Sequence, residues 1–339
     1  REAGTAGEEK AAERIQKTLD SFGVESHLEE FSFDTFQIKK AKLKVTEPYT
    51  KEYTVTGYGR CGNTAEDGLE APFAYAENGD DISLAHVSGK IVMVNDPVRK
   101  DMYRKLVKAG AVGFISIAGS PLDEGVDLVP CAYALPKNLP GEEKKEAGRE
   151  AVNYDNRIPG VSIHYKDAIE LVTKGASQVC LSVEQEIVTR TSRNIVARIE
   201  GTDKAEEILT LTAHYDSVPE GPGAYDNMSG AAIIMELCRY FHAHRPRRTM
   251  EFIWFGAEEK GLLGSQNYIK IHENELSAHR FNMNVDLAGQ LVGGTVAGIT
   301  GDASVCSILT YMAHEIGIGM STKNQIWGSD SNTFAWKGI

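Results

Sequence analysis

Three apolar runs, each delivering a polar, chemistry-bearing residue at its end, constrain this chain more than any other feature. ILTLTA leads into His214 and Asp216, MEFIWFGA into Glu258 and Glu259, and FNMNV into Asp286. MSGAAIIMELCRYFHAH separates the first two runs and GLLGSQNYIKIHENE the second and third, and both carry apolar residues at helical spacing. SRNIVARIEG adds a strand before them, and ASVCSILTYMAHEIGIG a helix after them. Strands alternating with helices imply a parallel sheet covered on both faces, with ligands held at the carboxyl ends of its strands. The expected fold is α/β, a mostly parallel mixed sheet sandwiched by helices.

The rest of the chain predicts a second module. GEEKAAERIQKTLDSFGVE has acids in its first turn, Ala11, Ile15 and Leu19 on one face and a stop at Gly23, which reads as an amphipathic helix. HLEEFSFDTFQIKKAKLKVTEP alternates apolar and polar residues as one or two strands. From Tyr49 to Val188 the texture changes to short strands and frequent turns. Here GKIVMVNDP, MYRKLVKAGA and VGFISI read as β-α-β, a charged loop (LPGEEKKEAGRE) follows, and RIPGVSIHYKDAIELVTKG gives a strand and a helix before CLSVEQEIVTRT closes the module. With 339 residues too many for one ordinary core, the expected domains are 1–48 with 189–339, and an inserted β-rich 49–188.

Charge and cysteine usage exclude several function classes. The balance of 36 basic against 48 acidic side chains gives −12 without any Lys/Arg-rich block, which argues against a nucleic-acid or anionic-membrane surface. No apolar run approaches the roughly 20 residues of a membrane span. Five cysteines without C-x-x-C spacing suggest neither a disulfide framework nor a thiolate zinc site, and favour a reducing, cytoplasmic setting. Secretion is the alternative, because the first residue is Arg1 rather than Met and a leader would precede it.

The site candidates each have a functional and a bland reading. In H-x-D, His214 is a candidate metal ligand whose second nitrogen Asp216 would orient, or the two are a turn histidine and a surface acid. Asp226 follows PEGPGAY and precedes NMSGAA, so it is either a helix cap or a carboxylate able to hold two cations. Glu258 and Glu259 are adjacent acids after a buried strand and point different ways. One can bind metal while the other accepts a proton from activated water, the bland reading being an acidic first turn of a helix. Asp286 is either a turn cap or the last member of a hard nitrogen and oxygen set suited to Zn²⁺, Mn²⁺ or Co²⁺. His86 and His164 read as structural or surface residues; His242, His244, His272 and His279 lie in polar contexts on or after helices, and His314 within one. Trp254, Trp327 and Trp336 read as core or rim residues.

Taken together, H-x-D, D-N-M-S-G, the E-E pair and the late strand-end Asp resemble, in this order, the co-catalytic zinc peptidases of the bacterial leucyl aminopeptidase and aminopeptidase Y type (clan MH). The likeness covers the opening helix and about Ser192 to Ile339, and the insert resembles a protease-associated (PA) domain in GKIVMVNDP, KLVKAGAVGFISI and IPGVSIHYKDAIELV. The resemblance implies a zinc-exopeptidase fold and removal of N-terminal residues from peptide substrates by water activated between two Zn²⁺ ions. It implies that Asp226 bridges the metals, His214 and Asp286 complete one site, Glu259 ligates the other, Glu258 is the general base and Asp216 orients His214. A second histidine ligand is expected after the stretch GSDSNTFAWKGI, which is the last part of this sequence, so a C-terminally truncated chain with an incomplete second metal site is the expectation. Where some relatives carry a histidine after Ser-Asp, this chain has Ser331. The PA-like insert is expected either to restrict access to the site or to mediate homodimerisation. Alternatives are a single-metal glutaminyl-cyclase-like enzyme, a carboxypeptidase, which HYDSVP echoes, and a non-catalytic receptor-like member of the fold.

Overall fold

The helix read from the opening residues runs over Ala6–Ser21 (α1) in a computed structural model that describes residues 1–123, 130–139, 142, 147–151, 153–219, 221–289, 293–326 and 328–339. Thr5 caps it through its hydroxyl, and Gly23 takes the left-handed backbone that ends it. Its buried face is Ala12, Ile15 and Leu19, with Ala11 only half-buried. Trp327 and residues 140, 141 and 143–146 of the charged loop lie outside the described residues.

The chain then forms β1 (Ser26–Glu47), β2 (Lys51–Tyr53), β3 (Val55–Gly57), β4 (Leu69–Tyr75), β5 (Ile91–Val94), α2 (Lys100–Lys108), β6 (Gly113–Ala118), β7 (Gly160–His164) and α3 (Tyr165–Thr173). It continues through β8 (Gln178–Ile199), β9 (Lys204–His214), α4 (Ser229–Ala243), β10 (Arg248–Phe255), α5 (Leu263–Ile271), β11 (His279–Asn284), β12 (Thr295–Gly298), α6 (Ala303–Glu315), β13 (Met320–Lys323) and α7 (Ser331–Ala335). Two compact units result, Arg1–Phe33 with Arg190–Ile339, and Asp34–Thr189.

In the first unit the strand order is β11-β9-β10-β8. β9 is parallel to both β10 and β11, while the end of β8 runs antiparallel to β10, pairing Ile195 with Trp254 and Ile199 with Met250. Alternate residues of β10 feed two cores. Met250, Phe252 and Trp254 pack with Ala12, Ile15 and Leu19 of α1 and Ile234 and Cys238 of α4, whereas Ile253 and Phe255 pack with Tyr268 and Ile269 of α5 and Phe334 of α7. Burial on both faces is why MEFIWF reads as a continuous apolar run. Trp254 is fully buried and donates its indole N–H to the Ala231 carbonyl, whereas Trp336 is exposed.

In the second unit β4, β5, β6 and β7 are parallel neighbours, β3 closes against β7 in antiparallel sense, and residues 178–181 of β8 pair with β4. Ile91, Val94, Phe114, Ile115, Val161 and Ile163 lie in one core with Leu106 and Leu171 from the two helices. His164 is buried and caps α3 by accepting the Lys166 N–H, a structural role; His86 is exposed.

Two expectations differ from what folds. CLSVEQEIVTRT and SRNIVARIEG are one strand, β8, because no glycine or proline interrupts residues 178–199. The insert boundary falls at Asp34 rather than Tyr49, inside β1. Phe33 packs with Ala3, Ala257 and Leu263, while Leu43 and Val45 join the second core, and an alternating pattern does not record which core a strand serves.

Burial of Glu8 is a further departure. An acid in a first turn ordinarily faces water, but Glu8 is only 1% exposed, and its carboxylate accepts from the Gly4 N–H (2.7 Å) and the Ser192 hydroxyl (2.6 Å). Burial pushes its pKa up to about 7. A carboxyl whose folded pKa exceeds its unfolded value binds more protons when folded, so its contribution is present below about pH 4.5 and is lost as pH rises through about 7. Glu8→Gln keeps the neutral form at every pH. Urea unfolding at pH 5 and pH 8 is therefore expected to show a fall in stability for wild type that exceeds the variant's by about 1–3 kcal/mol. Equal falls would refute the assignment.

Candidate metal centre

Parallel register brings the sequence-separated acids to one edge. Phe255 pairs with His214 across β10 and β9, and Asn284 with Thr212 across β11 and β9, so all three strands end at the same level. The pairing continues for one residue beyond the strands: Tyr215 N–H donates to the Phe255 carbonyl (3.0 Å) and Val285 N–H to the Thr212 carbonyl (2.8 Å). His214, the Glu258-Glu259 pair and Asp286 thereby share one site.

His214 is the centre of that site and is 1% exposed. Its Nε2 lies 3.1 Å from Asp226 Oδ1, 3.4 Å from Asp286 Oδ1 and 4.0 Å from Glu258 Oε2, the last beyond hydrogen-bond reach. Ligand atoms of His214, Glu258 and Asp286 lie within 4.8 Å of one another, the one such group among the described residues. The remaining ring nitrogen, Nδ1, stands 3.4 Å from Asp216 Oδ1. Burial would lower the imidazole pKa, but Asp216, Asp226 and Asp286 together raise it well above its ordinary value.

Asp216 does more than stand beside the ring. Fully buried, it accepts the backbone N–H of Glu258 on one oxygen (3.0 Å) and that of Glu259 on the other (3.3 Å). One carboxylate thus holds the backbone of the acidic pair while standing beside the imidazole. Asn227 plays the matching part on the opposite side: its amide donates to the Val285 carbonyl (2.8 Å), and its oxygen accepts from Gly230 (3.0 Å) and Leu287 (3.3 Å). Gly230 has to be glycine here, since a Cβ would stand 2.2 Å from the Val285 carbonyl oxygen. Ala257 and Leu287, flanking Glu258 and Asp286, both have left-handed backbone (φ 55° and 54°) that non-glycine residues rarely adopt.

Electrostatics separate the acids. Burial first, then the neighbouring Asp330, pushes Glu258 up to about 9; burial and then Asp226 push Glu259 up to about 7. Burial would also raise Asp286, but His214 and a hydrogen bond from the Ser329 hydroxyl (2.7 Å) hold it below its usual range. A cation fits this donor set. Asp286 Oδ1 and Glu259 Oε1 are buried without a hydrogen-bond partner, and carboxylates crowded around one imidazole repel one another unless positive charge lies among them. Nitrogen and carboxylate oxygen without thiolate is a zinc-type set.

Asp330 and Ser329 are the residues that sequence reasoning passes over. Asp330 is fully buried, and burial pushes it up to about 7 against the opposing pull of Ser265. Ser329 accepts from the Asn284 amide (2.8 Å) while donating to Asp286. The stretch GSDSNTFAWKGI enters the sequence reading only as the segment before an expected histidine, with no role given to Ser329 or Asp330. The reading of His279 needs correction: it is buried, not polar-facing, with Nδ1 2.7 Å from the Thr210 hydroxyl and its ring beside Tyr268 and Phe334. Burial lowers it to about 4, so it is a neutral core histidine.

Comparison with known proteins follows the same outline. Residues 194–338 match peptidase family M28. Aminopeptidase YwaD of Bacillus subtilis is 30% identical over 301 residues, covering 85% of this chain and 58% of that protein. Carboxypeptidase Q of Mus musculus is 25% identical over 295 residues, covering 84% of this chain and 61% of its own. The chain therefore spans about three-fifths of the length of these two relatives. Among solved structures, BSAP, a zinc aminopeptidase from Bacillus subtilis, superposes with a TM-score of 0.77 at 26% identity, over 100% of this chain and 78% of that one.

Proposed function

We propose, from the match of residues 194–338 to peptidase family M28, that the chain is a zinc-dependent aminopeptidase that removes N-terminal residues from peptides. The observation that carries the reading is the convergence of Asp226 and Asp286 on one face of His214, at 3.1 and 3.4 Å, at the carboxyl ends of parallel strands. In this proposal His214, Asp226 and Asp286 would hold one zinc, and Asp226 and Glu259 would serve a second. Zinc held there supplies Lewis acidity, which acidifies water and polarises a scissile carbonyl.

The chain's own residues supply the rest. Glu258 accepts a proton from the attacking water and returns it to the leaving amine, the part of a general base and then a general acid. Asp216 keeps Glu258 and Glu259 in register through their backbone N–H groups and stands beside Nδ1 of His214, which fixes the ring. We read the second unit, Asp34–Thr189, as a PA-like module that restricts access to the site or mediates homodimerisation. Free cysteines accord with a reducing compartment, and no helix among the described residues is long and apolar enough to cross a membrane.

The test is a panel of chromogenic aminoacyl-anilides with the full-length protein, with and without added Zn²⁺, beside N-blocked peptides with free carboxyl ends. Anilide cleavage that chelation abolishes and Zn²⁺ restores is the expected result. Cleavage of the N-blocked peptides alone would instead favour a carboxypeptidase, the activity for which carboxypeptidase Q is named.

A further inference from the structure

The segment before α1 touches both loops that carry the site acids. Arg1 donates from Nε to the Tyr215 carbonyl (2.8 Å), from one terminal nitrogen to the Pro222 carbonyl (2.7 Å) and from the other to the Gly223 carbonyl (2.9 Å). Tyr215 lies between His214 and Asp216, and Gly223 stands three residues before Asp226, so one planar fork pins both ends of the intervening loop. Ser217 N–H returns a bond to the Arg1 carbonyl (3.2 Å). Gly223 allows the close approach, as it has left-handed backbone and a Cβ there would meet the guanidinium at 2.6 Å.

The next residues reach the other loop. Glu2 pairs with Lys260 (2.8 Å), directly after Glu259, and with Arg190 (3.3 Å). Ala3 is fully buried beside Ala257, the residue before Glu258, and the Gly4 N–H ties the segment to Glu8 of α1. Every one of these contacts lies within the unit that carries the site.

We propose that Arg1 is a positioning residue for the metal centre: its guanidinium gathers the Tyr215, Pro222 and Gly223 carbonyls and so presents Asp226 to His214, and Glu2 steadies the Glu258-Glu259 loop from the same segment. The inference rests on the reading of Asp226 as a ligand. Three carbonyls arranged around one fork need arginine's fixed donors, and a lysine ammonium keeps the charge but not the geometry. The positive charge also lies near Asp216 and Asp226, offsetting part of the repulsion among the acids.

Co²⁺ titration calorimetry on the metal-free protein, with melting temperature and cobalt absorption as companions, tests this. Arg1→Ala and Arg1→Lys are each expected to weaken Co²⁺ binding about tenfold or more, as loss of an orienting partner does at metal sites. The apo melting temperature should stay within about 4 °C of wild type, and the cobalt spectrum at saturation should match wild type because no ligand has changed. If Arg1→Ala does not fold, Arg1→Lys carries the test. Wild-type affinity in Arg1→Lys, with Asp226→Asn weakened, overturns the brace and leaves Asp226 a ligand. Unchanged affinity in Asp226→Asn overturns that ligand reading, and the brace with it. A larger fall in melting temperature makes Arg1 a general stabiliser and also overturns the proposal.

Discussion

Glu258→Gln is expected to lose about 10²–10⁴-fold in turnover while retaining metal near the wild-type amount. The substitution is isosteric and removes only the ability to accept a proton. The backbone N–H that Asp216 holds at 3.0 Å is untouched, so the loop keeps its shape. Metal analysis of the purified variant, beside its rate on the best anilide substrate, reads both halves of the expectation. Turnover within a few-fold of wild type would remove Glu258 from the role of base, and loss of metal would make it a ligand instead, a role its place in the same cluster as His214 and Asp286 makes worth measuring.

His214→Ala should have the second-largest effect, on metal content and stability together. The imidazole is the sole nitrogen in the candidate group among the described residues, and three carboxylates share it. Without it, elemental analysis should find little bound metal, and activity should match that of chelator-treated wild type. In the metal-free state, the variant should be less stable by about 3 kcal/mol, the order of effect seen when one partner of a buried charged pair is removed. The sign with pH follows from the raised imidazole pKa. Wild type carries the full stabilisation below about pH 6.5 and loses it as pH rises toward the folded value, so the deficit of the variant is largest near pH 6 and shrinks at higher pH. A deficit that grows with pH would show that the folded imidazole is not protonated in the absence of metal.

Much of the first unit was legible in the sequence because parallel strands buried on both faces leave uninterrupted apolar runs, and because the residues that follow those runs must lie at one edge of the sheet. His214, Asp216, Glu258, Glu259 and Asp286 are candidates on that ground, with roles that only the family resemblance implies, and the registers of β9, β10 and β11 bring the ends of those runs together. Asp226 depended on its neighbours in the chain, since a helix cap carries the same local signal. The double anchoring by Asp216 was out of reach, because backbone N–H groups leave no mark on a sequence pattern. Arg1 was missed because it lies before the first helix and its side chain bonds carbonyls more than 200 residues away in the chain. The boundary inside β1 was hidden because a strand that changes cores keeps its alternation.

Asp216 also bears on how such a centre can change over generations. It grips the chain at residues 258 and 259 by the peptide groups common to all amino acids except proline, not by the side chains those residues carry. Position and chemistry are therefore separable at that corner of the molecule. The two side chains can be exchanged for others, by selection or by design, without rebuilding the socket that aims them, whereas losing Asp216 would disorganise the corner whatever stands there.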